Sequence, residues 1–146
     1  MKKLKLSSLR VDLDRQYKGD WISYPLWDGV RFNVSSPKLP AYQRRLAKNQ
    51  RDIAKRYPIG QDHLPTEEAL EANREAEALL VCEHLLHGWE GIDLAYSPDA
   101  AEKYLIDPEY EALLNAVKWC GNKLAEVNAE YIEDLAKNSD APSATG

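Results

Sequence analysis

The stretch His87-Gly88-Trp89-Glu90-Gly91-Ile92 decides the fold, because it ends one strongly patterned segment and stands ahead of another. The two glycines permit positive φ angles that other residues avoid. The indole between them supplies a large apolar area that fixes the angle between two helices once it is buried. We therefore interpret Gly88, Trp89 and Gly91 as a structural junction that positions helices.

Helical patterning lies on both sides of this junction. Upstream, Thr66 is a candidate N-cap for a helix that runs to about His87. Downstream, Ser97-Pro98-Asp99 and Asp107-Pro108-Glu109 repeat one start signal, which is a capping side chain, a proline and an acid. Gly121 lies inside the last helix and costs about 1 kcal/mol there unless close packing uses its missing side chain. The apolar positions of that long helix recur mostly at spacings of three and four: Tyr110, Leu113, Leu114, Val117, Cys120, Leu124, Val127, Tyr131 and Leu135.

The first third of the chain has the patterning of strands and turns. Leu9–Asp14 and Val30–Val34 alternate apolar and polar residues, and Trp21–Tyr24 is rich in residues that favour strands. Between the last two segments, Trp27-Asp28-Gly29 contains the Asp-Gly pair preferred in tight hairpins. A sheet of this size is stable only when helices cover its apolar side.

Length and composition fit a single domain. The chain has 146 residues, of which 44% are hydrophobic and 29% are charged, as in ordinary globular proteins. We predict an α+β fold that is mostly α, with a small N-terminal antiparallel β-hairpin or three-stranded sheet packed on about four helices. The domain is expected to span residues 1–137, β-rich over 1–36 and helical over 40–137, followed by a flexible polar tail over 138–146.

Hydropathy gives no sign of export or of a membrane span. The residues after Met1 never become the apolar run of a secretory signal, and no segment approaches the ~20 apolar residues of a membrane helix. We therefore expect a cytoplasmic protein that binds no membrane and whose two cysteines, Cys82 and Cys120, are reduced and buried.

Charge is distributed unevenly along the chain. Residues 38–57 carry seven bases against Asp52 alone, whereas residues 62–77 carry six acids against Arg74 alone. These blocks predict either a basic helix and an acidic helix that pair and partly neutralise each other, or a basic face that meets an acidic protein partner. The net charge of −5 argues against a nucleic-acid partner, because affinity for polyanions comes mostly from Lys and Arg.

One cluster has the residue types of a metal site. Cys82, His84 and His87 lie close in sequence, with Cys120 elsewhere, but on a helix Cys82 points well away from His84, so these side chains do not converge easily. We interpret them as core thiols and helix-end histidines and expect no metal and no cofactor. The chain has no phosphate-binding loop, nucleophile elbow or zinc-protease motif, and its carboxylate pairs lie in polar surroundings that do not raise a pKa. We therefore expect no catalytic residue and no enzyme.

Aromatic and basic residues are the candidates for binding another protein. Tryptophan and tyrosine beside strands usually pack in a core, yet they are also enriched at protein interfaces. We predict a protein-binding surface made of Trp21, Trp27, Tyr42, Arg44, Arg45, Lys48, Arg51 and Lys55.

Taken in order, these landmarks resemble the phage tail assembly chaperones over roughly residues 28 to 139. In that family a strand like Gly29–Val34 leads into a basic segment like Tyr42–Leu46, and then into a helix that ends at a glycine-tryptophan turn. A short helix ending near Asp107-Pro108 and a long helix closing near Lys137-Asn138-Ser139 follow.

Two features depart from the family pattern. The compact Asp93–Tyr96 stands where family members often carry a glycine-containing polar loop, and the aliphatic Leu124 and Val127 stand where many have a phenylalanine. These differences affect the details of a partner surface and leave the helix pattern intact.

The resemblance implies binding of the tape measure protein and recruitment of tail tube subunits during tail morphogenesis. It also implies location in the host bacterial cytoplasm and absence from the mature virion. A longer, frameshifted form of the same protein occurs in many such phages and would be a further partner. The alternative is a small phage-encoded inhibitor that binds a host enzyme or defence complex, because the size and acidity of the chain fit that class too.

Overall fold

Helices make up most of residues 2–126, the part of the chain that the computed structural model describes. A three-stranded antiparallel sheet in the order β1-β2-β3 accompanies them, so the α+β, mostly α prediction is confirmed. The helices are α1 Leu13–Lys18, α2 Pro40–Arg56, α3 Glu67–His84, α4 Pro98–Ile106 and α5 Glu111–Ala125, and the strands are β1 Asp20–Ser23, β2 Arg31–Val34 and β3 Leu86–Glu90.

Local capping signals start three helical segments where the sequence predicts them. The Thr66 hydroxyl accepts a hydrogen bond from the Ala69 N–H at 3.2 Å, and the Ser97 hydroxyl does the same for α4. Asp107 opens a short 3₁₀ turn, Pro108–Tyr110, which leads directly into α5. The predicted continuation of the last helix to Leu135 and the predicted tail lie outside the described residues.

The strand predicted over Leu9–Asp14 is wrong. A 3₁₀ turn covers Leu6–Leu9, and Asp12 caps α1 by accepting a hydrogen bond from the Arg15 N–H at 3.0 Å. The apolar residues of this alternating stretch do not lie in the core, since Leu13 is 69% exposed. A short capped helix therefore replaces the strand, and only β1 and β2 represent the predicted β-rich region 1–36.

The third strand comes from the stretch interpreted as a junction between helices. Gly88 and Trp89 lie within β3, opposite Asn33 and Phe32 of β2, so the interpretation of these two residues as a turn is wrong. The hydrogen-bonding partner of this strand is more than fifty residues distant in sequence, which local turn signals cannot reveal. Gly91 ends the strand with φ +86°, and there the predicted turn chemistry is confirmed.

The covered face of the sheet packs against α3 and α5. Phe32 and Val34 of β2 are fully buried with Val117 of α5. A Cβ on Gly121 of α5 would lie 3.4 Å from the Ser35 carbonyl oxygen after β2, which is an ordinary van der Waals distance. Close packing therefore does not require a glycine at this position of α5.

Helices α2 and α3 pack as an antiparallel pair. The ring of Tyr42 near the start of α2 meets the ring of His84 at the end of α3 edge-on, with centroids 6.4 Å apart. At the other end of the pair, Tyr57 at the end of α2 and Pro65 just before α3 line a groove between the two helices. The basic and acidic segments therefore pack against each other as predicted; their charges are described with the candidate surface below.

Candidate protein-binding surface

A basic stripe lies along the outer face of α2. We use this name for Arg44, Lys48, Arg51 and Lys55, which recur at spacings of four, three and four and therefore share one face of the helix. All four side chains are exposed. The stripe covers eleven residue steps, or about 16 Å of helix, and Arg45 lies exposed beside it.

Among the residues that the structure describes, most of the positive charge of this stripe has no acidic partner. Lys48 Nζ pairs with Asp52 Oδ2 at 2.8 Å within α2, and this hydrogen bond lowers the pKa of the Asp52 carboxyl. Over residues 2–126, Arg44, Arg51 and Lys55 make no salt bridge. No ion pair joins α2 to α3 in that range either, so the expected neutralisation between the two helices does not occur by direct contact.

Tyr42 lies on the opposite face of α2 from the basic stripe. Its side chain is 6% exposed and belongs to the core. Burial, together with the Glu77 charge, raises the pKa of its hydroxyl. Tyr42 is therefore not part of the exposed surface predicted from the sequence, because it lies on the apolar side of α2 that faces α3.

Trp21 lies half-buried on β1 and packs between two neighbours. The Arg31 guanidinium carbon lies 4.9 Å from the Trp21 ring centroid, a cation–π distance. On β3, the strand beyond β2, a Cβ at Gly88 would come within 3.3 Å of the indole. Arg31 also pairs with Glu90 of β3, so Trp21 belongs to a cross-strand cluster on the sheet.

Trp27 lies half-buried in the turn between β1 and β2. Its ring meets the ring of Tyr24 edge-on at 4.9 Å, and Tyr24 in turn meets Trp119 of α5 at 5.7 Å. Trp27 and Trp21 therefore pack on the sheet and α5, on different elements from the basic stripe. Trp119, which sequence reasoning missed as a surface residue, is 39% exposed.

Trp89 holds the loop after β3 against the sheet. Its side chain is 6% exposed, and its Nε1–H donates a hydrogen bond to the Leu94 carbonyl at 2.7 Å. The Tyr96 ring packs edge-on against it at 5.2 Å. Of the predicted junction residues, Trp89 therefore has a structural role in the loop, not between helices.

A groove between α2 and α3 is the feature that sequence reasoning missed. Its volume is about 470 Å³. The sequence supplied part of the signal, because Tyr42, Leu46, Ile53 and Tyr57 form an apolar stripe on one face of α2. The other wall depends on how α2 and α3 pack together. The lining residues are Leu46, Gln50, Ile53, Ala54, Tyr57, Ile59, Pro65, Ala69, Asn73 and Glu77.

The residues considered for a metal site have other contacts. Cys120 is buried as expected, whereas Cys82 is only half-buried. Burial raises the pKa of Cys82 to about 11 and that of Cys120 to about 12, so both remain protonated thiols near neutral pH. The His87 Nε2 lies 2.5 Å from the Ser35 hydroxyl, and burial lowers the pKa of this histidine. Across residues 2–126, no three His, Cys, Asp or Glu side chains form a cluster suited to a metal ion.

Fold and surface together define a small α+β protein with an exposed basic helix and an open groove beside it. Every helix within residues 2–126 is too short or too polar to cross a membrane. The chain belongs to the YdaY prophage protein family, which matches residues 35–138. No curated protein and no solved structure matches the chain.

Proposed function

We propose that this prophage protein is a tail assembly chaperone that binds the tape measure protein and helps recruit tail tube subunits. The observation that carries the proposal is the basic stripe, which is exposed and mostly without ion pairs in the described region. Membership of a prophage family supports the phage setting. The order of strand, basic segment and helices resembles the tail assembly chaperones, which supports the finer assignment.

The basic stripe suits reversible capture of an acidic helical segment. Its length of about 16 Å corresponds to three helical turns, so a client helix with acids at spacings of three and four can meet it in register. The chain as a whole has a net charge of −5, and the stripe is a local region of opposite sign. Such a region speeds the encounter with a partner and fixes its orientation more than it adds affinity.

In this role the protein forms and breaks no covalent bond. The protein acts in the cytoplasm of the bacterial host by holding another polypeptide, and it leaves before the particle is complete. A longer frameshifted form of the chain, where one is made, is a second partner. Mass spectrometry of purified particles tests whether the protein is absent from the mature virion. Stoichiometric amounts of this chain in mature virions would contradict its absence.

Co-expression with the tape measure protein of the same prophage tests the main claim. The wild-type chain is expected to raise the soluble fraction of that protein and to co-purify with it. In Arg44→Glu with Arg51→Glu, two attractive contacts become repulsive, which costs about 2 kcal/mol in total. The expected loss of affinity is about thirtyfold.

A matched control separates local charge from net charge. Lys3→Glu with Lys5→Glu makes the same change in net charge at exposed positions outside α2, and it is expected to leave client recovery unchanged. Equal losses from both double variants would remove the basic stripe from the mechanism. Failure of the wild-type chain to solubilise or bind the client would overturn the proposed function.

A further inference from the structure

An exposed apolar surface lies near the N-terminus, within residues 2–18. Leu6 and Leu9 are the ends of a 3₁₀ turn, in which side chains three residues apart eclipse each other, and they are 82% and 44% exposed. Leu13 and Tyr17 are four residues apart on one face of α1 and are 69% and 73% exposed. We call these four side chains the N-terminal apolar surface. Large apolar side chains left exposed together mark an interaction site.

The segment that carries this surface is attached to the body of the protein. Gln16 of α1 is buried, and its carbonyl oxygen accepts a hydrogen bond from the Ser36 N–H at 3.0 Å. The Ser35 hydroxyl donates to the Tyr17 carbonyl oxygen at 3.4 Å. These bonds hold α1 against the residues that follow β2. The N-terminal apolar surface therefore has a defined place in the fold.

The free charge of this segment is positive. Asp12 accepts a hydrogen bond from the Arg15 N–H as the cap of α1. Asp14 pairs with Lys18 Nζ at 3.2 Å, and the Arg15 side chain pairs with Asp20 at 2.6 Å. Four exposed bases make no salt bridge within residues 2–126, and they are Lys2, Lys3, Lys5 and Arg10. The surface therefore suits an occupant with both apolar and acidic residues.

Helix α5 ends close to this segment. A Cβ on Gly121 would be in van der Waals contact with the Ser35 carbonyl oxygen, and Ser35 is one of the residues that hold α1. The helix ends at Ala125, and Glu126 has extended backbone with ψ 157°. Glu126 follows Gly121 by five residues, or about 8 Å along a helix. The chain therefore leaves α5 near the place where both helices meet Ser35.

The sequence that follows α5 has the chemistry that this surface suits. Val127, Tyr131 and Leu135 recur at spacings of four, which is the pattern of an apolar helix face. Residues 126–137 carry four acids against one base. Because the buried stripe of α5 is interrupted at Glu126, these apolar residues need a different surface to cover them. A helix of residues 127–135 would be about 12 Å long, enough to cover α1.

We propose that residues 127–135 form an amphipathic helix that packs on the N-terminal apolar surface of the same chain. Its apolar face covers Leu13 and Tyr17 of α1, and its acids lie towards the four free bases. The inference goes beyond the proposed function and does not depend on it, since the surface lies apart from α2 and leaves the basic stripe free. A second copy of the chain and an anionic membrane are the competing occupants.

Hydrogen exchange of the backbone amides of residues 4–18, measured by mass spectrometry on the full chain, tests the proposal. Tyr131→Ser with Leu135→Ser removes the apolar contacts, and it is expected to speed exchange in this segment at least about fivefold, because a released segment opens more often. Ala129→Ser with Ala136→Ser is the matched control, because helical spacing places these alanines on the opposite face. The control is expected to leave exchange unchanged.

Charge reversal on both sides tests the contact directly. Lys2→Glu with Arg10→Glu, and separately Glu130→Lys with Glu133→Lys, are each expected to speed exchange about threefold at low salt. All four substitutions together are expected to restore slow exchange, because opposite charges face each other again. Variants that merely disturb the fold would add their effects instead of cancelling them.

Three results would overturn the proposal: unchanged exchange in the Tyr131 and Leu135 variant, an equal effect of its alanine control, or no recovery when the charge reversals are combined. Slow exchange that is lost on dilution would identify a second copy as the occupant and would also overturn it. Slow exchange found only with vesicles of phosphatidylglycerol would do the same for a membrane. Recovery of the tape measure protein depends on the basic stripe of α2, so the proposed function stands or fails separately.

Discussion

Replacing Gly91 by alanine tests how tightly the end of β3 is fitted to the hairpin. Gly91 has φ +86°, a conformation that residues with a Cβ rarely adopt. A Cβ at this position would also collide with the Gly29 carbonyl group. Because the contacted atoms belong to the Gly29 backbone, they cannot move away as the end of a flexible side chain could. Gly91→Ala therefore has to distort either the end of β3 or the turn between β1 and β2.

The expected loss in the free energy of unfolding of Gly91→Ala has two parts. A positive φ costs a residue with a Cβ about 1–2 kcal/mol, and forcing extra volume into a packed position costs about 1–3 kcal/mol more. Gly29 separates these parts, because it has φ +77° and no atom of the described residues lies within 4 Å of its added Cβ. Gly29→Ala therefore measures the backbone part alone. The expected loss is about 1–2 kcal/mol for Gly29→Ala and about 2–5 kcal/mol for Gly91→Ala.

Urea unfolding followed by tryptophan fluorescence measures both variants. With an m-value of about 2 kcal/mol/M, Gly91→Ala is expected to lower the unfolding midpoint by about 1–2.5 M and Gly29→Ala by about 0.5–1 M. Equal losses in the two variants would show that the collision is absent and would refute this account of the contact between β3 and the hairpin. A Gly91→Ala protein as stable as the wild type would refute both parts.

Three further perturbations follow from individual contacts. Trp89→Phe removes the hydrogen bond to the Leu94 carbonyl and is expected to cost about 1–2 kcal/mol in urea unfolding; a loss below about 0.3 kcal/mol would show that the bond does not hold the loop. Ser97→Ala removes the N-cap of α4 and is expected to cost about 1 kcal/mol, and unchanged stability would contradict this role of the hydroxyl. The pKa of Cys82 rises from 9.0 to about 11 on folding, so the stability it contributes is complete below pH 9 and is lost as pH rises through about 11, because the unfolded thiol ionises first. Cys82→Ala should flatten this alkaline decline, and an identical pH profile in the variant would exclude the thiol as its cause.

Helix starts could be predicted from the sequence because capping is a local interaction. Thr66 and Ser97 each bond an N–H three residues ahead, and no distant part of the chain is needed. The strand predicted at Leu9–Asp14 failed because Asp12 is itself such a cap and because burial did not follow the alternation. The strand at Leu86–Glu90 was missed because its partner, β2, lies far away along the chain.

The candidate surface could be predicted only in part. The spacing of Arg44, Lys48 and Arg51 places them on one helix face, and the structure shows them exposed there. The spacing also predicts that Tyr42 shares the opposite face of α2 with Leu46 and Ile53, so including Tyr42 in the binding surface conflicted with that pattern. The groove could not be predicted, because its lining includes Ile59, whose position depends on the packing of α2 against α3.

The pairing of β3 with β2 sets a lower limit on the piece of chain that can fold. The family match covers residues 35–138, whereas β2 ends at Val34. A fragment trimmed to the matched region would keep β3 but lose the strand that satisfies its N–H and C=O groups, and it would expose an edge prone to aggregation. Work on shortened versions of this protein should therefore retain the hairpin from Asp20 onward.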